Sequence, residues 1–300
     1  MDPSPPLIPT LLPMLRTPSL LVALVCAALV GCEDVVVVDL GETAARLVVE
    51  GGVVHDRATQ TVRLNTTSPY FDASVAAPVT GATVSISDDR GQSIDLAERE
   101  PGVYEGSGLD TEIGRTYTLD VAVEGERYRA VEPLRAVAPI DEIRVVYEDG
   151  QNSEAVEGAV AGYRVKVDFR DPPARGDSYR WQTLVDGRPV FPPELGFGTS
   201  LLADDELFNG LMVEDYSPNA AVAFLPGQTV VVRQSSLTPR AFSFYELFFL
   251  QLDEGGGPFD VPPAEVRGNV ANLTDSSRPA LGYFLVTDTA EASITVPPAP

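Results

Sequence analysis

Cysteine is nearly missing from this chain of 300 residues: there are two, Cys26 and Cys32, both near the N-terminus. Beyond Cys32 there is no disulfide, no cysteine metal site and no thiol nucleophile. Histidine is scarcer still. The single His55 excludes a His-rich zinc centre and the H-E-x-x-H arrangement. A Ser-His-Asp triad would have to use that residue, which falls in an expected turn, where a solvated imidazole is the ordinary reading. Positive charge is thin as well. Against 44 Asp and Glu stand 21 Lys and Arg, Lys166 being the one lysine, for a net charge of -23. Nucleic acid, which needs a basic footprint, is excluded as a partner. The acids are scattered along the chain and read as a solvated surface. Long apolar runs are lacking too: Leu20–Val30 is about half the roughly 20 residues that a bilayer-spanning helix needs.

What that short apolar run leads into is a lipobox, Leu29-Val30-Gly31-Cys32. A stretch of this length enters a translocon, small residues fit a signal peptidase, and the cysteine sulfur accepts a diacylglycerol before cleavage. Residues 1–31 are therefore expected to be a lipoprotein signal peptide, with Cys32 the site of lipid attachment. Met1–Pro13 carries Asp2 and several prolines and lacks the positive charge of a signal n-region, whereas a start at Met14 places Arg16 there. Met14 is thus the expected start. Two or more acyl chains anchor a protein stably where one does not, so Cys32 alone suffices as an anchor and the acyl lipid is the only bound group expected. Residues 32–45 read as a tether.

From Arg46 onward, short β-branched runs alternate with turn residues, which is the pattern of an all-β chain. Strands are expected at Arg46–Val54, Thr61–Thr67, Ala82–Ser87, Ser93–Ala97, Gly102–Glu105, Thr116–Val123 and Arg127–Val131. Seven strands in so short a stretch fit a small Greek-key sandwich over residues 46–136, with Tyr104 and Tyr117 facing inward. Val137-Ala138-Pro139 marks a boundary, and residues 137–300 read as a second β-rich, sandwich-like domain. Its strands are Ile140–Tyr147, Tyr163–Phe169, Tyr179–Val185 and Gln228–Ser235. Residues 187–227 read as a long irregular segment with an acidic cluster, Asp204-Asp205-Glu206. One amphipathic helix is expected near 239–253: Thr238 caps it, Pro239 suits its first position and Gly255-Gly256-Gly257 end it. Phe242, Tyr245, Phe248, Phe249 and Leu252 share one face, read as core packing.

Several words of the chain point to a family. Val79-Thr80-Gly81-Ala82-Thr83-Val84, Pro101-Gly102-Val103-Tyr104 and Gly114-Arg115-Thr116-Tyr117 resemble carboxypeptidase-regulatory-like and related immunoglobulin-like modules. Cys32, Leu47-Val48-Val49-Glu50-Gly51, Pro139-Ile140-Asp141, the aromatic helix, and Gly268-Asn269-Val270 followed by Leu281-Gly282-Tyr283-Phe284 together resemble a Bacteroidota lipoprotein family, the domain of unknown function 4249. Glu33 and Asp34, directly after the cysteine, resemble the surface-export signal of such lipoproteins. The resemblance implies a lipid-anchored outer-membrane protein on the cell surface, the periplasmic face being the alternative. It also implies proximity to a TonB-dependent receptor, and it supplies no catalytic residues.

The expectation that follows is a non-enzymatic accessory or ligand-binding component of a TonB-dependent uptake system. A scaffold or adhesin without a small ligand is one alternative. A carbohydrate- or peptide-processing hydrolase is another, since a pair of carboxylates among Glu194, Asp204, Asp205 and Glu206 is left open. Asp204-Asp205-Glu206 is also the expected place for calcium if any metal binds, because hard cations take carboxylate oxygens. The lone Trp181 reads as core.

Overall fold

The computed structural model describes residues 45–68, 76–149, 161–190, 201–253 and 266–298, which belong to one compact unit spanning Ala44–Pro300. Alternation of apolar and polar side chains, the two-residue period of a strand, builds its first layer. The strands are β1 (Leu47–Val54), β2 (Thr59–Thr66), β3 (Thr83–Asp88), β4 (Ser93–Glu100), β5 (Val103–Ser107), β6 (Thr116–Val123) and β7 (Glu126–Pro133). Tyr117, Leu119 and Val121 of β6 point inward, as do Val84 and Ile86 of β3 and Val62 and Leu64 of β2. Each strand lies within a few residues of where alternation places it.

Two strands from the far end of the chain, β15 (Ala271–Asn272) and β16 (Leu281–Thr287), complete this layer. The result is a nine-stranded sheet in the order β15-β7-β6-β3-β4-β5-β2-β1-β16. Every pairing in it is antiparallel except β1 with β16, which run parallel from Val48↔Leu281 to Val54↔Thr287. The sheet bends at β4, whose first half pairs with β3 and whose second half pairs with β5 through a bulge between Glu98 and Glu100. A bulge sharpens twist and bend, and the two halves close over a single apolar core. Tyr104 fills it and stays satisfied, donating to the Val79 carbonyl at 2.9 Å and accepting from Ala82 N at 3.0 Å. The Val79–Thr83 and Gly102–Tyr104 words are thus two sides of one contact.

The chain crosses to a second layer at 134–139. Leu134 belongs to the first core and Ala138 to the next, so the expected boundary after residue 136 falls in a crossover. Residues 46–136 are nevertheless not the whole first sheet, because β15 and β16 return to it. The second layer holds β8 (Ile140–Glu148), β9 (Gly162–Arg170), β10 (Ser178–Val185), β11 (Arg188–Val190), β12 (Leu202–Asp204), β13 (Met212–Tyr216), β14 (Thr229–Leu237) and β17 (Thr289–Thr295). They form a five-stranded sheet, β11-β10-β14-β17 with β12 also on β10, and a three-stranded sheet, β13-β9-β8. The core between them is aromatic: Phe169, Tyr179, Trp181 and Tyr216 lie with ring centroids 4.3–6.2 Å apart. Trp181 is core, as expected, and donates Nε1–H to Gln234 at 2.8 Å.

One expectation needs correction. Residues 187–227 are not a long irregular segment: among the described residues they carry β11, β12 and β13. Two of these strands have three residues, and β13 is broken by a register shift between Val213 and Tyr216 with Asp215 at φ 57°. Neither presents enough alternation to read. Among the described residues there is one helix, α1 (Pro239–Asp253), where the sequence places it. No helix among them is long and apolar enough to cross a membrane.

Candidate functional site

Helix α1 begins at Thr238, whose Oγ1 accepts from Ala241 N at 3.1 Å, an N-cap bond that satisfies an otherwise unpaired donor. Pro239 follows at the first helical position, where its missing N–H costs nothing. The helix then presents Ala241, Phe244, Tyr245 and Phe248, at i, i+3, i+4 and i+7, to β16 of the first sheet and to β10, β12 and β14 of the second layer. Ala241 is fully buried, and Phe244 lies 4.9 Å from Tyr283 of β16, centroid to centroid. Phe248 stacks on Phe244 but remains 40% exposed. The aromatic stripe is therefore partly core: Phe242 and Tyr245 pack against the buried cluster, together with Phe244, which the expected stripe omits. The side chain of Leu252 lies outside the described residues.

Between this helix and the outer faces of β1 and β16 lies a pocket of about 810 Å³. Its floor is the parallel pairing. Val48, Glu50, Gly52 and Val54 of β1 alternate outward beside Leu281, Tyr283, Leu285 and Thr287 of β16. Glycine is required here by close approach. A Cβ on Gly52 would come within 1.9 Å of the Leu285 carbonyl oxygen, and one on Gly282 within 2.1 Å of the Val49 oxygen. The by-product is a gap in the floor's side chains at Gly52, between Glu50 and Val54. Phe244, Tyr245, Phe248 and Tyr283 form the aromatic wall, and Arg63 and Arg180 supply positive charge at the rim. The Arg180 guanidinium sits 4.5 Å from the Tyr245 ring centroid, a cation–π contact. Burial pushes the Tyr245 phenol above its usual range, against the pull of Arg180.

A buried carboxylate holds this wall in place. Glu132 of β7 is 2% exposed and accepts from the Thr238 hydroxyl, from Tyr283 OH at 3.1 Å and from Asn269 Nδ2 at 3.2 Å. Asn269 also brackets the backbone of Phe284, donating to its carbonyl at 2.8 Å and accepting its N–H at 2.9 Å. The helix cap, β16 and β7 thus meet at one oxygen pair. Burial, then the nearby Glu132 charge, pushes the Tyr283 phenol well above its usual range, so it stays a neutral donor.

The acidic cluster is rearranged relative to expectation. Asp205 is buried and joins Asp171 and Asp177, one oxygen from each lying within 4.8 Å of the others. Asp204 is instead in β12, and Glu206 is exposed. Four of the trio's oxygens are already engaged: Tyr179 OH and Gly210 N donate to Asp171 at 2.5 and 2.9 Å, Gly176 N to Asp205 at 2.8 Å, and Arg135 to Asp177 at 3.2 Å. Burial raises the Asp177 carboxyl, opposed by Arg135 and reinforced by Asp171 and Asp205. These three are the described residues best arranged to hold a hard cation. Sequence reasoning missed Asp171 and Asp177 because Asp171-Pro172-Pro173 reads as a turn.

His55 lies in the β1–β2 turn as expected, its Nδ1 2.9 Å from Thr111 Oγ1 and its Nε2 3.7 Å from an Asp56 carboxylate oxygen. Met14, the lipobox residues Leu29, Val30 and Gly31, the anchor Cys32, Glu33, Asp34, Glu194 and Gly255-Gly256-Gly257 lie outside the described residues.

A family model described as "Domain of unknown function (DUF4249)" matches residues 33–293. The chain belongs to the DUF4249 family. Within the span matched in this DUF4249 protein fall both walls of the pocket, its glycine floor and the Glu132 node. No curated protein matches the chain. Among solved structures it is similar to one titled "Structure of Yersinia pseudotuberculosis adhesin InvE", at 18% identity and a TM-score of 0.20. The match covers 63% of this chain and 55% of that one, so the chain spans about half the length of that neighbour. So low a score transfers nothing to this protein.

Proposed function

We propose that this protein is an outer-membrane lipoprotein, held at the cell surface by acyl chains on Cys32, whose β body binds a ligand for a TonB-dependent uptake system without transforming it. The observation that carries the binding role is the pocket beneath α1. It is concave, mostly apolar and of the size that takes a small molecule, with a few charged groups at its rim. The lipobox ending at Cys32, with Glu33 and Asp34 after it, supports the address. In this reading the lipid keeps the body beside a receptor, and α1 with the β1–β16 face meets the ligand.

Affinity purification of the native lipoprotein from membranes, followed by mass spectrometry, tests the reading. An outer-membrane barrel recovered with the wild-type chain supports it, and consistent absence of any barrel overturns the uptake role. Cys32→Ser should release the protein from the membrane fraction and block its processing. A variant that stays membrane-bound and is processed normally would overturn the anchor.

A further inference from the structure

The pocket has a chemical bias that narrows its ligand. In a chain of net charge -23, the charged groups lining it are Arg63, Arg180 and Glu50, a local excess of one positive charge. No ion pair among the described residues engages Arg63 or Arg180. Arg180 sits over the Tyr245 ring, and its guanidinium carries five N–H donors, more than that one contact uses, in the fork that matches a carboxylate. Beside it, the glycine floor and the rings of Phe244, Phe248 and Tyr283 offer flat apolar surfaces to a ring-bearing body.

We infer that the pocket binds a small aromatic or polycyclic carboxylate, its ring system lying between the β1–β16 floor and the α1 aromatics and its carboxylate meeting Arg180, with Arg63 adding long-range attraction. This rests on the proposed binding role of the same pocket and goes beyond it in naming the ligand class. A purely neutral ring ligand would leave the local excess of positive charge without a counter-charge. A cationic one would oppose them.

Calorimetric titration of the purified full chain with 4-biphenylcarboxylate, 4-biphenylmethanol and 4-biphenylmethylamine tests the inference. The carboxylate should bind about tenfold or more tightly than the alcohol, the scale of one charge-assisted hydrogen bond, and the amine weakest of the three. Arg180→Gln should erase that preference, so that the carboxylate and the alcohol bind within about twofold of each other, since the charged contact is lost. Phe248→Ala, at a partly exposed position, should weaken all three together. Should Arg180→Gln fold poorly, Arg63→Gln and added salt, each reducing the preference, carry the same test. Equal affinity for the three probes, no binding of any, or a carboxylate preference that survives both arginine substitutions would overturn the inference. A receptor recovered from native membranes would still stand in those cases, so failure here is distinct from failure of the uptake role.

Discussion

The two cores of this molecule are built from different materials. The first, inside the bent nine-stranded sheet, is mainly aliphatic, Val62, Leu64, Val84, Ile86, Leu119 and Val121 alternating inward around Tyr104, Tyr117, Tyr128 and Phe284. The second packs Phe169, Tyr179, Trp181 and Tyr216 together and bonds two of these rings to buried polar groups, Tyr179 to Asp171 and Trp181 to Gln234. An aliphatic contact works by area alone, about 25 cal/mol for each Å² removed from water. An aromatic and polar one must also satisfy every donor and acceptor it buries. Losses in the second should therefore be steeper for each side chain removed.

Trp181→Ala gives the largest expected effect, a loss of about 3–5 kcal/mol, because it opens the aromatic core and leaves the Gln234 carbonyl without its donor. Denaturant unfolding monitored by far-UV circular dichroism measures it. Thr238→Ala should cost about 1–2 kcal/mol, since this hydroxyl both caps α1 and donates to Glu132. Its loss tests whether the two layers unfold together, and a split transition would mean that the Glu132 node couples them. Ile86→Val, in the aliphatic core, should cost only about 0.5–1.5 kcal/mol and leave a single transition. A loss as large as that of Trp181→Ala would erase the contrast between the cores.

The smallest expected change concerns acid. Arg144 holds the Asp168 carboxyl below its usual range, with the Asp215 N–H assisting and burial opposing. An acid whose folded value is depressed contributes stability that is complete above the ordinary carboxylate range and is lost as pH falls through the folded value. The melting temperature of the wild type should thus drop more on acidification from neutral pH than that of Arg144→Gln, as scanning calorimetry would show. Equal slopes would remove the ion pair from the account of the second core.

The same contrast governs what could be read in advance. Alternation in β3 and β6 and the Thr238-Pro239 start of α1 are local signals, and the structure follows them closely. The strands β12 and β13 carry too few residues, or too irregular a backbone, to leave such a signal. The pocket was hidden for another reason. Its floor joins β1 to β16, segments whose flanking residues Arg46 and Pro279 hydrogen-bond across 233 positions at 2.7 Å, and no short window of sequence reports a partner so distant. Gly51 and Gly282 stood among the words that resembled the family, yet their reason, strands too close for a side chain, needs both strands in view. The acidic trio was half visible: Asp205 was singled out, while Asp171 and Asp177 arrive from another loop.

The parallel seam between β1 and β16 has a consequence for the birth of the protein. Synthesis runs from the N-terminus, so β1 waits with one edge bare until β16 has been made. Contacts so remote along the chain form slowly. A polypeptide that cannot seal itself early leaves that edge open to other strands until β16 arrives.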